Sequence, residues 1–471
     1  MYFDIDIIDR KLRWQTVMCL VMTVISFAVA LFILLDFAKP RYYAWLFLLP
    51  LTFGILSLLY NRLYLEVPMN LGISVILVLF FVRTVVSPLF MCFGNYAGTI
   101  SLNIDKNTTG AILLVVYESI CVFTLLNVLN KKNNGKIHNA LEHKDSHRYA
   151  VVLGAVVFAL LICIAVAPEL LKGYRTIFHM TEKTFTHYED TYLVECYGTT
   201  FAKKLALVTG QYIVRILLIV IPAYLMVLIS AQKTFLNRCG ALACCILPMF
   251  AIGGTIARNL IYTVCLLLLY NYLFNGQKIS KKAVFLLGGA GLAVVAWWML
   301  RGGMSSLFEQ FSKRFSAYFS GVNVVSGAFN LPDNAEYKVG YFVYDFIGSI
   351  PYGTTLFGIS HERVQTFFNT YNASSGQIPP TIGMGYYYFG PVLAPVYSIL
   401  LAYASYKAGF KLKNSLYACP MTCIRLLVET FYLSMGIIMY NIEITISNCL
   451  SVLLPIYLME LIAYRVKERS E

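Results

Sequence analysis

In the stretch "SHERV" a histidine, His361, stands just before an arginine, Arg363, with Glu362 between them. A neutral imidazole so placed can take a proton from a hydroxyl while the guanidinium holds an anion. An ordinary loop histidine is the competing reading. A second cation, Arg258, follows "AIGGTIA" at the start of an apolar run. Its guanidinium can make two parallel hydrogen bonds to a phosphate without losing its charge, or it can simply reach from the end of a span toward water. Arg83 in "LVLFFVRTVVSPLF" and Arg215 in "GQYIVRILLIVIP" lie inside apolar runs. An ionisable group there must face a cavity or a partner, and Glu118 or Glu429 can supply the pairing. Further along, Arg301, Lys313, Arg314, Lys338 and Arg363 are set against Glu309, Asp333, Glu336, Asp345 and Glu362. For Lys313, Lys338, Asp333 and Glu336 the expectation is a solvated surface.

The elements that must position these residues follow from composition. The chain has 471 residues, 59% hydrophobic and 13% charged, with a mean hydropathy of +0.68. A soluble chain carries about 25% charge, whereas here the apolar residues come in blocks near the roughly 20 needed to cross a bilayer. An all-α polytopic membrane protein is expected. The net charge of +13 is scattered through short connectors, as orientation signals are, and forms no patch for nucleic acid. Of the twelve cysteines, Cys19, Cys121, Cys163, Cys244, Cys245, Cys265 and Cys449 fall in or beside apolar runs, where cysteine acts as a small hydrophobe. No pair has metal-ligand spacing in a polar setting, so neither a disulfide framework nor a metal site is expected. The opening "MYFDIDIIDRKLRW" is too acidic for a removable signal peptide.

Apolar runs lie at Thr16–Leu35, Tyr43–Leu59, Met69–Cys92, Gly110–Leu129, Tyr149–Ala167 and Leu205–Ser230. The second half adds Gly240–Ile252, Asn259–Phe274, Ala283–Leu300, Tyr386–Tyr403, Leu426–Tyr440 and Ile446–Tyr464. That makes about 12 transmembrane helices in one integral-membrane domain spanning residues 1–471. With both termini cytoplasmic, every short inward connector carries a positive charge, from Arg62 and Lys131 to Lys407 and Arg465. Two long segments then face outward: 168–204, and the larger 301–384 between the ninth and tenth spans. Within the larger one, Leu307 to Phe319 has the spacing of an amphipathic helix lying near the interface. The stretch after it, through "NLPDNAEYKVG", is expected to be loop. Pro379 and Pro380 mark where the tenth span can begin.

These pieces together resemble a known family, the integral-membrane (Wzy-type) polymerases of O-antigen, capsule and enterobacterial common antigen repeat units. The resemblance covers roughly Ala251–Tyr403. It lies in a glycine-rich turn with arginine before a span, "GGTIARNLIY", and an arginine-containing aromatic segment, "FSKRFSAYFSG". An acidic-aromatic element, "YFVYDFIGSIP", and the turn "IPPTIGMGYYYFGP" follow in the family's order. The related ligases, which move finished polymer onto lipid A core, share the architecture and also use arginines with a loop histidine.

The resemblance implies a glycosyltransferase of the bacterial cytoplasmic membrane that needs no cofactor. Its donor and acceptor would be undecaprenyl-diphosphate-linked oligosaccharides, with a flippase and a chain-length regulator as possible partners. The donor brings its own diphosphate leaving group, so the site needs cations and a base. Arg258 and Arg314 are then assigned to the diphosphate, with Arg301, Arg363 and Arg215 in support. His361 is the first choice of base and Asp345 the second. No Asp-x-Asp stands in an outward loop, which suits a metal-independent reaction. Tyr341, Tyr344, Tyr371 and Tyr386–Tyr388 can stack on sugars, although an interfacial belt explains them as well. The rival from another class is a flippase or transporter; such proteins tend to be built from two similar halves, and no internal repeat is visible here.

Overall fold

The computed structural model describes residues 5–67, 70–100, 102–133, 146–168, 170, 200–250, 256–275, 307–351, 353, 357–358, 363–415 and 420–465. All regular structure among the described residues is helical. Eight helices among the described residues are long and apolar enough to cross a membrane: Gln15–Leu35, Arg41–Leu59, Leu71–Phe93, Ile104–Lys132, Tyr149–Val166, Phe201–Ile229, Pro420–Ile438 and Ile442–Ala463. This is the make-up of a polytopic, membrane-embedded protein. They correspond to the first six and the last two runs expected from the sequence. The seventh and eighth runs are shorter apolar helices, Phe235–Met249 and Arg258–Phe274. The ninth run, most of the first long outward segment, Arg301 and His361 lie outside the described residues.

The tenth run is not one straight span. Helices Thr381–Leu393 and Val396–Lys413 meet at 106°. The helix begins where the prolines allow, with Pro380 in extended conformation (ψ 139) ahead of Thr381. It is broken by "YFGPVLAP": Gly390 takes φ 76, ψ −178, a region only glycine enters freely. Pro391 and Pro395 supply no backbone N–H to carry the ladder across. Gly385 allows the return, because a Cβ there would collide with the Ala394 carbonyl oxygen.

Contacts divide the chain into two compact units. One comprises Met1–His138, Ala293–Lys413 and Glu429–Asn448; the other comprises Asn139–Leu292, Asn414–Val428 and Cys449–Glu471. In the first, the Leu71–Phe93 rod opens into a π-helical turn at Val82–Val86, which carries Arg83. Its Nη1 donates to Glu118 Oε2 at 2.5 Å and its Nε to the Ser320 carbonyl at 3.0 Å. Ser398 donates to the other oxygen of Glu118. Of the two pairings the sequence allowed for a buried arginine, Glu118 is therefore taken by Arg83. In the second unit, Arg425 Nε donates to both oxygens of Glu460 at 3.2 and 3.1 Å. A small core of Cys163, Ala167, Leu170, Ala206 and Leu207 joins the Ser146–Val166 and Phe201–Ile229 helices.

The described part of segment 301–384, expected to face outward, is more helical than expected. Leu307–Tyr318 is a helix, but its phenylalanine stripe lies on protein. Phe311 and Phe315 stack on Phe90 at 5.0 and 4.9 Å, and Phe308 meets Phe93 at 5.6 Å. The stretch expected as loop contains helix Val322–Ser326, a 3-10 turn at Gly327–Asn330 and helix Ala335–Ile347. Burial explains the first two: Val322, Val324, Val325 and Ala328 are all 2% exposed or less. A cap explains the third, since Asn334 Oδ1 accepts from Glu336 N at 2.8 Å and so satisfies one of the first-turn donors.

Candidate functional site

Helix Ala335–Ile347 presents two aromatic faces. Tyr337, Tyr341 and Tyr344 share one face at helical spacing. Tyr341 stacks on Phe367 at 4.0 Å, and Tyr344 joins the core formed with Ile100, Val324 and Phe368. On the second face, Phe342 meets Tyr388 and Phe389 at 5.6 and 5.7 Å, while Phe346 meets Tyr397 at 6.2 Å. The helix therefore touches both arms of the bent pair. Between those aromatic contacts sits Asp345.

Asp345 is 1% exposed, and neither carboxyl oxygen has a hydrogen-bond partner among the described residues. The Tyr388 hydroxyl faces it without a well-formed hydrogen bond, and neither that hydroxyl nor that of Tyr397 has a hydrogen-bond partner among the described residues. Burial pushes the Asp345 carboxyl well above the usual carboxylate range; Tyr388 offsets part of that, and Glu443 adds to it. A buried polar group with no partner costs about 1–3 kcal/mol, and more if charged. Native proteins keep few of them, and a catalytic role is one reason to do so.

Glu443 stands in the first turn of the Ile442–Asn448 helix, whose start is capped by Asn441 Oδ1 accepting from Ile444 N at 2.8 Å. Arg363, at the N-cap of helix Val364–Asn372, is exposed and interacts electrostatically with both Glu443 and Tyr344. The result is a sealed carboxyl, a half-buried carboxylate and an exposed guanidinium drawn from three separate helices. Such a set can hold a proton, pass it and neutralise an anion at its rim.

The same unit holds a cleft of about 520 Å³ between the Leu307–Tyr318 helix, the Gly98–Thr99 connector and the Ser374–Ile378 turn. Lys313, Tyr318, Ser375, Gln377 and Met439 line it. Asn369 fastens the turn: its Oδ1 accepts from Ser374 Oγ at 2.7 Å and Gln377 N at 3.0 Å. Gln377 Nε2 donates to the Ala317 carbonyl at 3.1 Å, and Thr99 Oγ1 donates to Gln377 Oε1 at 3.2 Å. All three walls are thus cross-linked through one side chain.

Of the residues singled out by sequence, Asp345, Arg314 and Arg363 fall in the first unit, and Arg215 and Arg258 in the second. The structure brings Asp345 and Arg363 to one place, through Glu443. Arg314 is half-buried beside Lys313. Arg258 is 7% exposed in the first turn of Ile256–Asn275, and Arg215 lies 5.4 Å over the Tyr212 ring. Glu443, Tyr397 and the cleft were missed, and Tyr388 was read only as a sugar-stacking or interfacial-belt tyrosine. Glu443 carries the same signal that marked Arg83, a charge at an apolar run ("YNIEITIS"). No family model matches the chain, and no curated protein and no solved structure matches it.

Proposed function

We propose that the chain is a polysaccharide polymerase, a glycosyltransferase that joins undecaprenyl-diphosphate-linked oligosaccharide repeat units at the outer face of a bacterial cytoplasmic membrane. The observation that carries this reading is the Asp345–Glu443–Arg363 cluster, on a segment that the charges of the short connectors assign to the outside. In the reaction an acceptor hydroxyl attacks the anomeric carbon of the donor. The new C–O bond forms as the bond to the diphosphate oxygen breaks, the hydroxyl proton goes to a base, and the diphosphate leaves with the bonding pair. His361 remains the first choice of base. Asp345 is the second, reached through Glu443, because its own carboxyl is sealed. Arg258 and Arg314 remain the choices that supply fixed positive charge for the departing diphosphate, with Arg363, Arg301 and Arg215 in support.

One observation favours a second reading. A helix broken at mid-run, as at Gly390–Pro391, is the kind of element that builds substrate sites in transporters, so a lipid-linked oligosaccharide flippase is the alternative. Product length in cells lacking the protein separates the two. A missing polymerase leaves single repeat units at the surface, whereas a missing flippase leaves none outside. Absence of any external repeat unit would sink the polymerase.

A further inference from the structure

The cleft beside Lys313 has walls unlike the aromatic packing around Asp345. Its turn is held from behind by Asn369 and Gln377, which leaves Ser375 at the tip, exposed. Across from it, Tyr318 ends its helix 45% exposed. Ile378 and Met439 add apolar surface, and Thr99 adds a hydroxyl. Among the described lining residues the one cation, Lys313, is already matched by Glu309 at 2.6 Å, both side chains close to half exposed. An exposed pair of this kind holds its partners weakly, so the ammonium remains open to hydroxyl groups, while Glu309 balances its charge.

Rigid walls, an exposed ring and alternating hydroxyl and apolar surface suit a ligand with hydroxyl edges and C–H faces. The volume lies in the range of small-ligand sites, about 300–1,000 Å³, and walls fixed in advance spare the ordering cost of binding. We infer that this cleft is an uncharged-glycan subsite, with Tyr318 as the stacking platform and Ser375 and Lys313 as hydrogen-bonding groups. It takes the sugars of the lipid-linked substrate that lie away from the diphosphate. The identity of the ligand rests on the glycosyl-transfer reading; the subsite is read by binding alone.

The test uses the full chain in cells making polysaccharide, with a photo-crosslinking amino acid at Ser375 in a variant that still supports polymer formation. After irradiation and purification under denaturing conditions, covalently held carbohydrate is measured by hydrolysis and sugar analysis. The control carries the same probe at Val339, which is 63% exposed on helix Ala335–Ile347. Ser375 should capture severalfold more carbohydrate than Val339, and adding Tyr318→Ala should lower the capture about fivefold. Carbohydrate no higher than at Val339, phospholipid in its place, or indifference to Tyr318→Ala overturns the subsite. Capture by a protein that fails to elongate in purified form keeps the subsite and removes the polymerase. Elongation without capture removes the subsite alone.

Discussion

Arg83 and Asp345 are both ionisable, both at most 2% exposed, and opposite in their circumstances. Arg83 has a carboxylate at 2.5 Å and a backbone carbonyl at 3.0 Å, and Ser398 occupies the far side of its partner Glu118. Charge and hydrogen bonds are nearly closed there, with Arg83 Nη2 left over. Among the described residues, Asp345 has neither a counter-charge in contact nor a well-formed hydrogen bond, and its neighbour Glu443 is of the same acidic type. The first arrangement holds helices together. The second costs stability once it is charged, and a catalytic role is one reason for a protein to keep such a group.

Breaking the closed site should produce the largest effect. Glu118→Ala strands the Arg83 guanidinium in the interior, which costs about 3–5 kcal/mol. Detergent-solubilised protein should show a collapse of folded yield and a strongly lowered unfolding temperature. An unchanged melting curve would show that the pair is not structural. At the open site the sign reverses. Asp345→Asn keeps the shape and removes the ionisable group, so the unfolding temperature should hold or rise while polymer extension falls about 100-fold, the weight of one proton-transfer group. Loss of stability equal to that of Glu118→Ala would erase the contrast between the two sites.

The contrast also has a pH signature. Because burial raises the Asp345 carboxyl in the folded chain, the native state keeps its proton to a higher pH than the unfolded state. The stability this contributes is complete below the unfolded value of about 3.9 and is lost as pH rises through the raised native value. Wild type should therefore lose stability relative to Asp345→Asn as pH climbs above about 4, by at most about 1.4 kcal/mol per unit. Parallel melting temperatures across that range would refute it. The charged and titratable groups in the comparison are Glu443, Arg363, Tyr344, Tyr388 and Tyr397. The smallest effect is expected at the surface: Lys313→Gln removes an exposed i,i+4 pair with Glu309 and should change stability by about 0.5 kcal/mol or less.

Sequence exposes these features unequally. Long apolar runs such as Tyr149–Ala167 were legible because span length and hydropathy are local properties, and the structure has a helix at Tyr149–Val166. The break at Gly390 was not, because average hydropathy across "YFGPVLAP" stays high while the backbone turns. The Asn334 cap was readable in principle, but the surrounding Gly, Asn and Pro pointed to loop. The state of Asp345 could not be read at all. Its burial depends on helix Ala335–Ile347 meeting both arms of the bent pair and the start of Ile442–Asn448, and no local pattern encodes that meeting.

The central claim is that this chain forms glycosidic bonds with a lipid diphosphate as leaving group. Purified protein reconstituted with a defined undecaprenyl-diphosphate oligosaccharide, without added metal, tests it directly. Separation of the lipid-linked products by length should show a ladder of two, three and more repeat units, and His361→Ala or Asp345→Asn should reduce it to traces. A single band at the starting length, with substrate instead moved between leaflets, would contradict the claim and favour the flippase.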